Sequence, residues 1–176
     1  MVPLSSKDDA GFLAARILGA LRISASEFGY RAQALLAEAL GRTGCAIDQV
    51  ARVGHPDILV RIGGRTLRIQ TKATGQRHFV LSAADLEGIR PRSRDEEGYL
   101  AVLDRGPPIV WTCVRCAKAR VLLERAVPLA MLKTMDDAAF SLQCTSAFVD
   151  LVVEHRDSIE AFTFSLMSRR ALARGS

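Results

Sequence analysis

Two short segments carry side chains that could bind a metal ion together. Asp57 follows Pro56 at the start of the segment ILVRI, and Gln70 and Lys72 close the segment LRIQTK. Carboxylate and amide oxygens are ligands that hard cations such as Mg²⁺ accept. A site of this kind requires the chain to fold back so that Asp57 and Gln70 meet.

The chain between these residues predicts a β-hairpin with a fixed register. Gly63 and Gly64 suit a two-residue type I′ turn, because both central positions of that turn need a positive φ. Counting outward from the turn pairs Ile62 with Arg65, Val60 with Leu67, and Ile58 with Ile69. The same count places Asp57 opposite Gln70.

Alternation along the hairpin separates an apolar face from a polar one. Five residues share the face that we expect to pack on the core: Ile58, Val60, Ile62, Leu67 and Ile69. Asp57, Gln70 and Lys72 share the other face, which we expect to be the outward one. Opposed Cβ atoms lie about 4.5–5.5 Å apart, so Asp57 and Gln70 could hold one small cation with Lys72 beside it.

These residues resemble the signature of the PD-(D/E)xK nuclease superfamily, which has the restriction-endonuclease-like fold. Pro56-Asp57 on one strand and Gln70-x-Lys72 on the next match its pattern, with glutamine in place of the second acid. The Q-x-K form is similar to the Mrr-like branch, and the superfamily also includes archaeal Holliday junction resolvases. The resemblance spans about residues 24–116.

The resemblance implies an activity and a set of roles. It implies a metal-dependent endonuclease that hydrolyses DNA phosphodiester bonds, restriction-like or junction-resolving, with Mg²⁺ or Mn²⁺ as cofactor. Asp57 would be the main metal ligand, Gln70 a neutral oxygen ligand and Lys72 the catalytic amine. The backbone carbonyl of Thr71 would complete the set. The Gln70 amide is a poorer Mg²⁺ ligand than the carboxylate that it replaces. Either a glutamate on a helix supplies the missing charged ligand, or catalysis is lost.

Two candidates for that helix glutamate lie in the second predicted helix. Glu27 and Glu38 are eleven residues apart, so they lie on one helical face. Members of the superfamily usually carry the glutamate early in the helix, and we therefore choose Glu27 and keep Glu38 in reserve. Glu27 also stands three residues after Ser24, which is typical of a capping box, so it has a structural alternative.

Patterning predicts the elements around the hairpin. The pair Ser5-Ser6 marks the start of a first helix, and a second helix runs from near Ser24 or Ser26 to Gly41. The run CAIDQVARV adds a strand before the hairpin, and Ser82 opens a short third helix. Two further strands, joined through Gly106-Pro107-Pro108, complete the sheet.

The order of elements predicts the fold class. It is α/β (α+β), with a restriction-endonuclease-like αβββαβ core, a central mixed sheet flanked by helices, and extra N- and C-terminal helices. The C-terminal extension, about residues 117–176, is mostly helical by pattern, although VDLVVEH could be an edge strand. We expect a single domain, because the chain of 176 residues has no obvious linker.

Charge favours a polyanionic partner. The chain has 24 Lys and Arg residues against 19 acidic ones, a net charge of +5, and arginine is well suited to phosphate. We expect DNA as the partner and these side chains as its contacts: Arg61, Arg68, Arg77, His78, Arg92 and Arg94. The N-terminal segment fits neither a signal peptide nor a membrane span, so we expect a cytoplasmic protein without a membrane partner.

Other readings of the sequence stay open. A catalytically inactive nuclease-like domain that binds nucleic acid or a protein is the main alternative, because Gln70 removes one charge from the site. Cys113-x-x-Cys116 resembles half of a zinc site or a redox motif, but no second pair appears at suitable spacing. A homodimer is plausible for an enzyme that cuts both strands of a duplex.

Overall fold

The first two helices pack together on one side of the sheet. The computed structural model describes residues 7–49 and 55–172, so Ser5 and Ser6, where the first helix is predicted to start, lie outside the described residues. Helix α1 is Lys7–Gly19 and α2 is Ala25–Arg42. Ser24 caps α2 as predicted, because its Oγ accepts a hydrogen bond of 3.2 Å from the Glu27 N–H.

The central sheet has five strands in the order β1-β2-β3-β5-β6. The strands are β1 Ala46–Gln49, β2 Ile58–Ile62, β3 Arg65–Thr74, β5 Glu96–Asp104 and β6 Val110–Arg115. Strands β1 to β3 are antiparallel as predicted, whereas β5 runs parallel to β3. The parallel pair needs a crossover, which contains the short strand β4 (His78–Val80) and helix α3 (Ala83–Gly88). The predicted mixed sheet and αβββαβ order are confirmed.

The hairpin has the predicted register. Ile62 pairs with Arg65, Val60 with Leu67, and Ile58 with Ile69. Gly63 and Gly64 have φ values of 55° and 79°, which is the region that a type I′ turn requires. The turn therefore sets which residues of β2 and β3 face each other.

Two apolar layers cover the two faces of the sheet. One layer contains α1, α2 and the C-terminal helices α6 (Ala138–Glu154) and α7 (Ile159–Leu172). The other contains α3, helix α4 (Cys116–Ala119), helix α5 (Leu129–Lys133) and the pair formed by β4 and β7 (Ala126–Pro128). The second layer covers the face of β3 that was expected to be outward, so that expectation is wrong from Arg68 onward: Arg68 is 5% exposed and Gln70 8%.

The C-terminal part is helical, as predicted, with one correction. The segment VDLVVEH does not form an edge strand, because Val149 to Glu154 belong to α6. Leu151 and Val152 of this segment, together with Phe148 just before it, are buried in the core that α2 also joins. Their spacing of three and four residues suits a helix face, and it outweighs the strand propensity of valine.

Candidate active site

A cleft opens at the edge of β3 where its pairing with β2 ends. The last pair of the β2–β3 ladder is Ile58 with Ile69, and from Gln70 onward no strand of residues 7–49 or 55–172 pairs with that edge of β3. The N-terminal half of α2 forms the opposite wall, and the cleft has a volume of about 400 Å³. It is lined by Ala25, Ser26, Gly29, Tyr30, Gln33, Asp57, Gln70, Thr71, Lys72 and Ala73.

Asp57 is fixed at the floor of this cleft by hydrogen bonds from β3. Its Oδ2 accepts from Gln70 Nε2 at 2.8 Å, from the Thr71 backbone N–H at 2.8 Å and from Thr71 Oγ1 at 2.7 Å. Asp57 lies just before β2, and these side-chain contacts bring it to Gln70, so the predicted meeting of Asp57 and Gln70 is confirmed. An extended residue directs its N–H and C=O to the same side of a strand, and the carbonyl of Thr71 therefore faces the same edge.

Gln70 is enclosed between β3 and α3. A methyl group at Gly88 would stand 3.3 Å from Gln70 Oε1 and 2.7 Å from the carbonyl oxygen of His55, so the chain around the amide is closely packed. The amide directs its nitrogen to Asp57 and its oxygen toward α3. A half-turn of the terminal amide would bring Oε1 to the side of Asp57.

Gln33 is a member of the site that the sequence reasoning missed. It is 4% exposed, and its Nε2 donates to the backbone carbonyl of Asp57 at 3.2 Å. Ser26, Tyr30 and Gln33 recur at helical spacing, so one face of α2 fronts the cleft. That spacing was a usable signal, but the search for an α2 ligand considered only glutamates.

Lys72 lines the cleft and makes an ion pair with α3. Its Nζ lies 2.7 Å from Asp85 Oδ2. Burial alone would raise the pKa of Asp85, but hydrogen bonds from Lys72 and Ser82 outweigh it and lower that pKa below its ordinary value. Asp85 was not singled out in the sequence, because nothing in its spacing showed that α3 would lie over Lys72.

Comparison with known proteins supports the architecture. The Holliday junction resolvase Hjc of the archaeal hyperthermophile Archaeoglobus fulgidus superposes with a TM-score of 0.51 and 24% sequence identity, over 64% of this chain and 94% of that chain. The chain has the restriction-endonuclease-like fold. No protein-family model and no curated protein sequence matches the chain.

Neither candidate for the helix glutamate, Glu27 or Glu38, lines the cleft. Glu27 Oε1 accepts from Arg31 Nη2 at 2.6 Å and from Arg31 Nε at 3.2 Å, and Arg31 in turn donates to Thr163 of α7. Glu27 thus lies on the side of α2 that faces α7 and does not line the cleft. Glu38 makes an ion pair with Arg42 near the other end of the helix. The choice of Glu27 as a metal ligand therefore does not fit its position.

The cleft offers oxygen donors, which Mg²⁺ and Mn²⁺ prefer. Among the described residues that line it, Asp57 is the one carboxylate. Asp57 supplies a carboxylate, Thr71 a backbone carbonyl, and Gln70 an amide oxygen once the amide is turned. Among residues 7–49 and 55–172, no three His, Cys, Asp or Glu side chains group as metal ligands. Mg²⁺ often binds through one or two carboxylates and keeps several waters, so these residues would form a weak site.

The side chains that the sequence predicts as DNA contacts fall into three groups in the structure. Arg68 is buried and donates through Nε to the Gly88 carbonyl at 3.1 Å, so its predicted phosphate contact does not fit. Arg61 is exposed but lies 2.8 Å from Asp48. Two exposed pairs remain, at opposite ends of β3 and β5: Arg77 and His78 at one end, and Arg92 and Arg94 at the other. The first pair is at the end that carries the cleft.

The cysteine pair does not form part of a metal site. Cys113 is buried in the layer with α2 and α6, and Cys116 is buried in the layer with α3 and α5. The two thiols therefore lie on opposite sides of the sheet. In the part of the chain that the structure describes, no helix is both long and apolar enough to span a membrane.

Proposed function

We propose that the chain is a metal-dependent DNA endonuclease that acts at the cleft between α2 and the open edge of β3. The observation that carries the proposal is the convergence of four chemical groups at this edge: the Asp57 carboxylate, the Gln70 amide, the Thr71 backbone and the Lys72 ammonium. The resolvase with a similar fold acts, by its name, on Holliday junctions. A junction-resolving or restriction-like activity on DNA is therefore the finer proposal.

Each residue has a task in this mechanism. Asp57, Gln70 and the Thr71 carbonyl would hold a divalent cation, which when bound lowers the pKa of a water and offsets charge on the phosphate. The Thr71 N–H and hydroxyl fix the orientation of the Asp57 carboxylate. Gln33 fixes the backbone at Asp57 from the side of α2. Lys72 brings a positive charge and hydrogen-bond donors to the attacked phosphate.

The rim of the cleft is suited to a nucleic acid. Tyr30 lines it and is 56% exposed, and an exposed aromatic ring can stack on a base. Arg77 and His78 are exposed at the end of β3 that carries the cleft, where they can approach the phosphate backbone. We therefore place the DNA across Tyr30 and toward Arg77.

A plasmid-nicking assay with Mg²⁺ or Mn²⁺ tests the proposal. We expect wild-type protein to convert supercoiled DNA to nicked or linear forms, and we expect Asp57→Ala and Lys72→Ala to abolish the reaction. Asp157→Asn and Lys133→Ala are the matched controls, because both residues lie outside the cleft lining. Cleavage that survives Asp57→Ala and Lys72→Ala would come from another site or a contaminant and would refute the proposal.

One observation favours a second candidate, a domain that binds DNA without cutting it. The cleft has one carboxylate, and its Oδ2 already accepts three hydrogen bonds from β3. Such an arrangement is stable without an ion. This candidate predicts salt-sensitive DNA binding with no cleavage in any divalent cation, and binding that is unchanged by Asp57→Ala.

A further inference from the structure

The ion pair between Lys72 and Asp85 joins the cleft to a helix that the sequence signature does not include. Lys72 Nζ and Asp85 Oδ2 are 2.7 Å apart, and the side chains are 30% and 13% exposed. Lys72 lines the cleft with Asp57, whereas Asp85 belongs to the first turn of α3. The carboxylate thus meets the ammonium on the face of β3 that α3 covers.

Asp85 is itself held in place by the start of α3. Its Oδ2 accepts from Ser82 Oγ at 2.7 Å and from the Ser82 N–H at 3.0 Å. Ser82 Oγ in return accepts from the Asp85 N–H at 3.2 Å. This reciprocal arrangement is a capping box. The oxygen that meets Lys72 is therefore fixed by the backbone of α3 and does not depend on side-chain rotamers alone.

The ion pair orders a side chain that would otherwise be mobile. A free lysine has four rotatable bonds, and ordering them costs side-chain entropy. Asp85 removes that disorder before a substrate arrives. A lysine in such a pair supplies a charge and hydrogen-bond donors, and it must share Asp85 with any phosphate or water that it contacts.

We propose that Asp85 is a positioning residue that holds Lys72 in register with Asp57 and Gln70, so that the first turn of α3 is part of the active site. The proposal rests on the proposed nuclease function for its catalytic meaning. The ion pair itself can be tested without catalysis.

The chain offers a direct spectroscopic test, because it contains only four lysines: Lys7, Lys72, Lys118 and Lys133. Ammonium groups held in an ion pair exchange protons slowly enough to be seen in cold ¹H–¹⁵N spectra of lysine side chains. We expect one signal that Lys72→Ala removes. Asp85→Asn should remove or shift that signal, whereas Ser82→Ala should leave it in place, because the Asp85 carboxylate and the Ser82 N–H remain.

Steady-state cleavage supplies the second readout. Asp85→Asn keeps an acceptor for the Ser82 N–H, so the cap is largely preserved and only the charge opposite Lys72 is lost. We expect kcat to fall about 10- to 100-fold with KM for DNA changed less than about threefold. Glu87→Gln is the matched control, because it removes a charge from the same helix at a residue that pairs with Arg90 outside the cleft lining, and it should leave kcat within about threefold of wild type. Asp85→Glu, which keeps the charge, should retain more activity than Asp85→Asn.

The outcomes separate this proposal from the proposed function. An unchanged Lys72 signal and unchanged kcat in Asp85→Asn would overturn the positioning role. Equal losses in Asp85→Asn and Glu87→Gln would assign the effect to the charge of α3 in general and would also overturn it. A wild-type protein that never cleaves would refute the nuclease function and the catalytic meaning of Asp85, while the spectrum still decides the ion pair.

Discussion

The two faces of β3 are both buried, but they are buried in different ways. On the face toward α2, Ile69 packs among leucine, alanine and aromatic side chains. On the face toward α3, Arg68, Gln70 and Lys72 occupy three successive inward positions. Each has a specific partner, which is the Gly88 carbonyl for Arg68, Asp57 for Gln70 and Asp85 for Lys72.

The difference shows where stability and chemistry reside in this strand. Apolar burial requires volume and shape, and many sequences satisfy it. Buried polar groups require a partner of the right kind at the right distance, because an unmet donor or acceptor costs about 1–3 kcal/mol. Three successive polar residues on one buried strand face, each of which needs its own partner, stabilise a core less simply than apolar residues do. We infer that Arg68, Gln70 and Lys72 are there for a function at the cleft, which Gln70 and Lys72 line. Four measurements test this difference between the two faces of β3.

The largest effect is expected on the apolar face. Ile69 is fully buried, and Ile69→Ala should destabilise the protein by about 2–5 kcal/mol through lost burial and a cavity. Urea denaturation measures it. Ile62→Ala is the matched control on the same hairpin, since Ile62 is largely exposed, and its cost should stay below about 1 kcal/mol. Similar costs for the two variants would contradict the assignment of this face to the core.

On the polar face, we expect the stability of the protein to depend more on the volume of the side chain at position 68 than on its charge. The Nη2 of Arg68 is buried with no hydrogen-bond partner, and desolvation lowers the pKa of Arg68 despite the attraction of Glu96. Arg68→Met fills a similar volume but leaves the Gly88 carbonyl without its donor, so it should cost about 1 kcal/mol, whereas Arg68→Ala also leaves a cavity and should cost about 2 kcal/mol more. Thermal unfolding compares the two. A large loss in Arg68→Met would show that the guanidinium itself is required.

A smaller effect is expected from restoring the second acid. Gln70→Glu places two carboxylates together at the cleft, which should destabilise the metal-free protein and raise affinity for Mn²⁺ about tenfold. Calorimetric titration with Mn²⁺ measures the affinity, and Gln76→Glu is the control outside the cleft lining. Equal affinities in Gln70→Glu and wild type would place the cation elsewhere.

The smallest effect is a pH dependence of stability from Asp85. Because the pKa of Asp85 is lowered in the folded protein, its carboxylate stabilises the fold at neutral pH, and this contribution is lost as pH falls through the folded-state pKa. Asp85→Asn should therefore cost about 1 kcal/mol near pH 7. The gap from wild type should shrink below pH 3.8, the ordinary value for aspartate. A gap that is constant with pH would show that charge at Asp85 is unimportant.

Much of the sheet could be predicted from the sequence because local chemistry determines it. Two glycines fix the hairpin register, and strict alternation fixes which residues share the face toward α2. The expectation that Ile62 packs on the core is wrong, because Ile62 lies beside the turn and is 46% exposed. Ser24 and Ser82 mark helix starts by their capping geometry. These signals act over a few residues, so no knowledge of the distant chain is needed.

The remainder depends on contacts between distant parts of the chain. The burial of Arg68 follows from α3 lying over the sheet, which its charge does not indicate. The exclusion of Glu27 follows from α7, which engages its partner Arg31 through Thr163. The pair of β4 and β7 consists of three-residue strands far apart in the chain, too short to produce a pattern.

Anomalous diffraction from a crystal soaked in Mn²⁺ tests the proposed metal site directly. We expect one peak at the edge of β3 beyond its pairing with β2, between the Asp57 carboxylate, the Gln70 amide oxygen and the Thr71 carbonyl, and no such peak in Asp57→Ala crystals. A peak that persists in Asp57→Ala, or a wild-type cleft that stays without a peak at Mn²⁺ concentrations where the protein cleaves DNA, would contradict it.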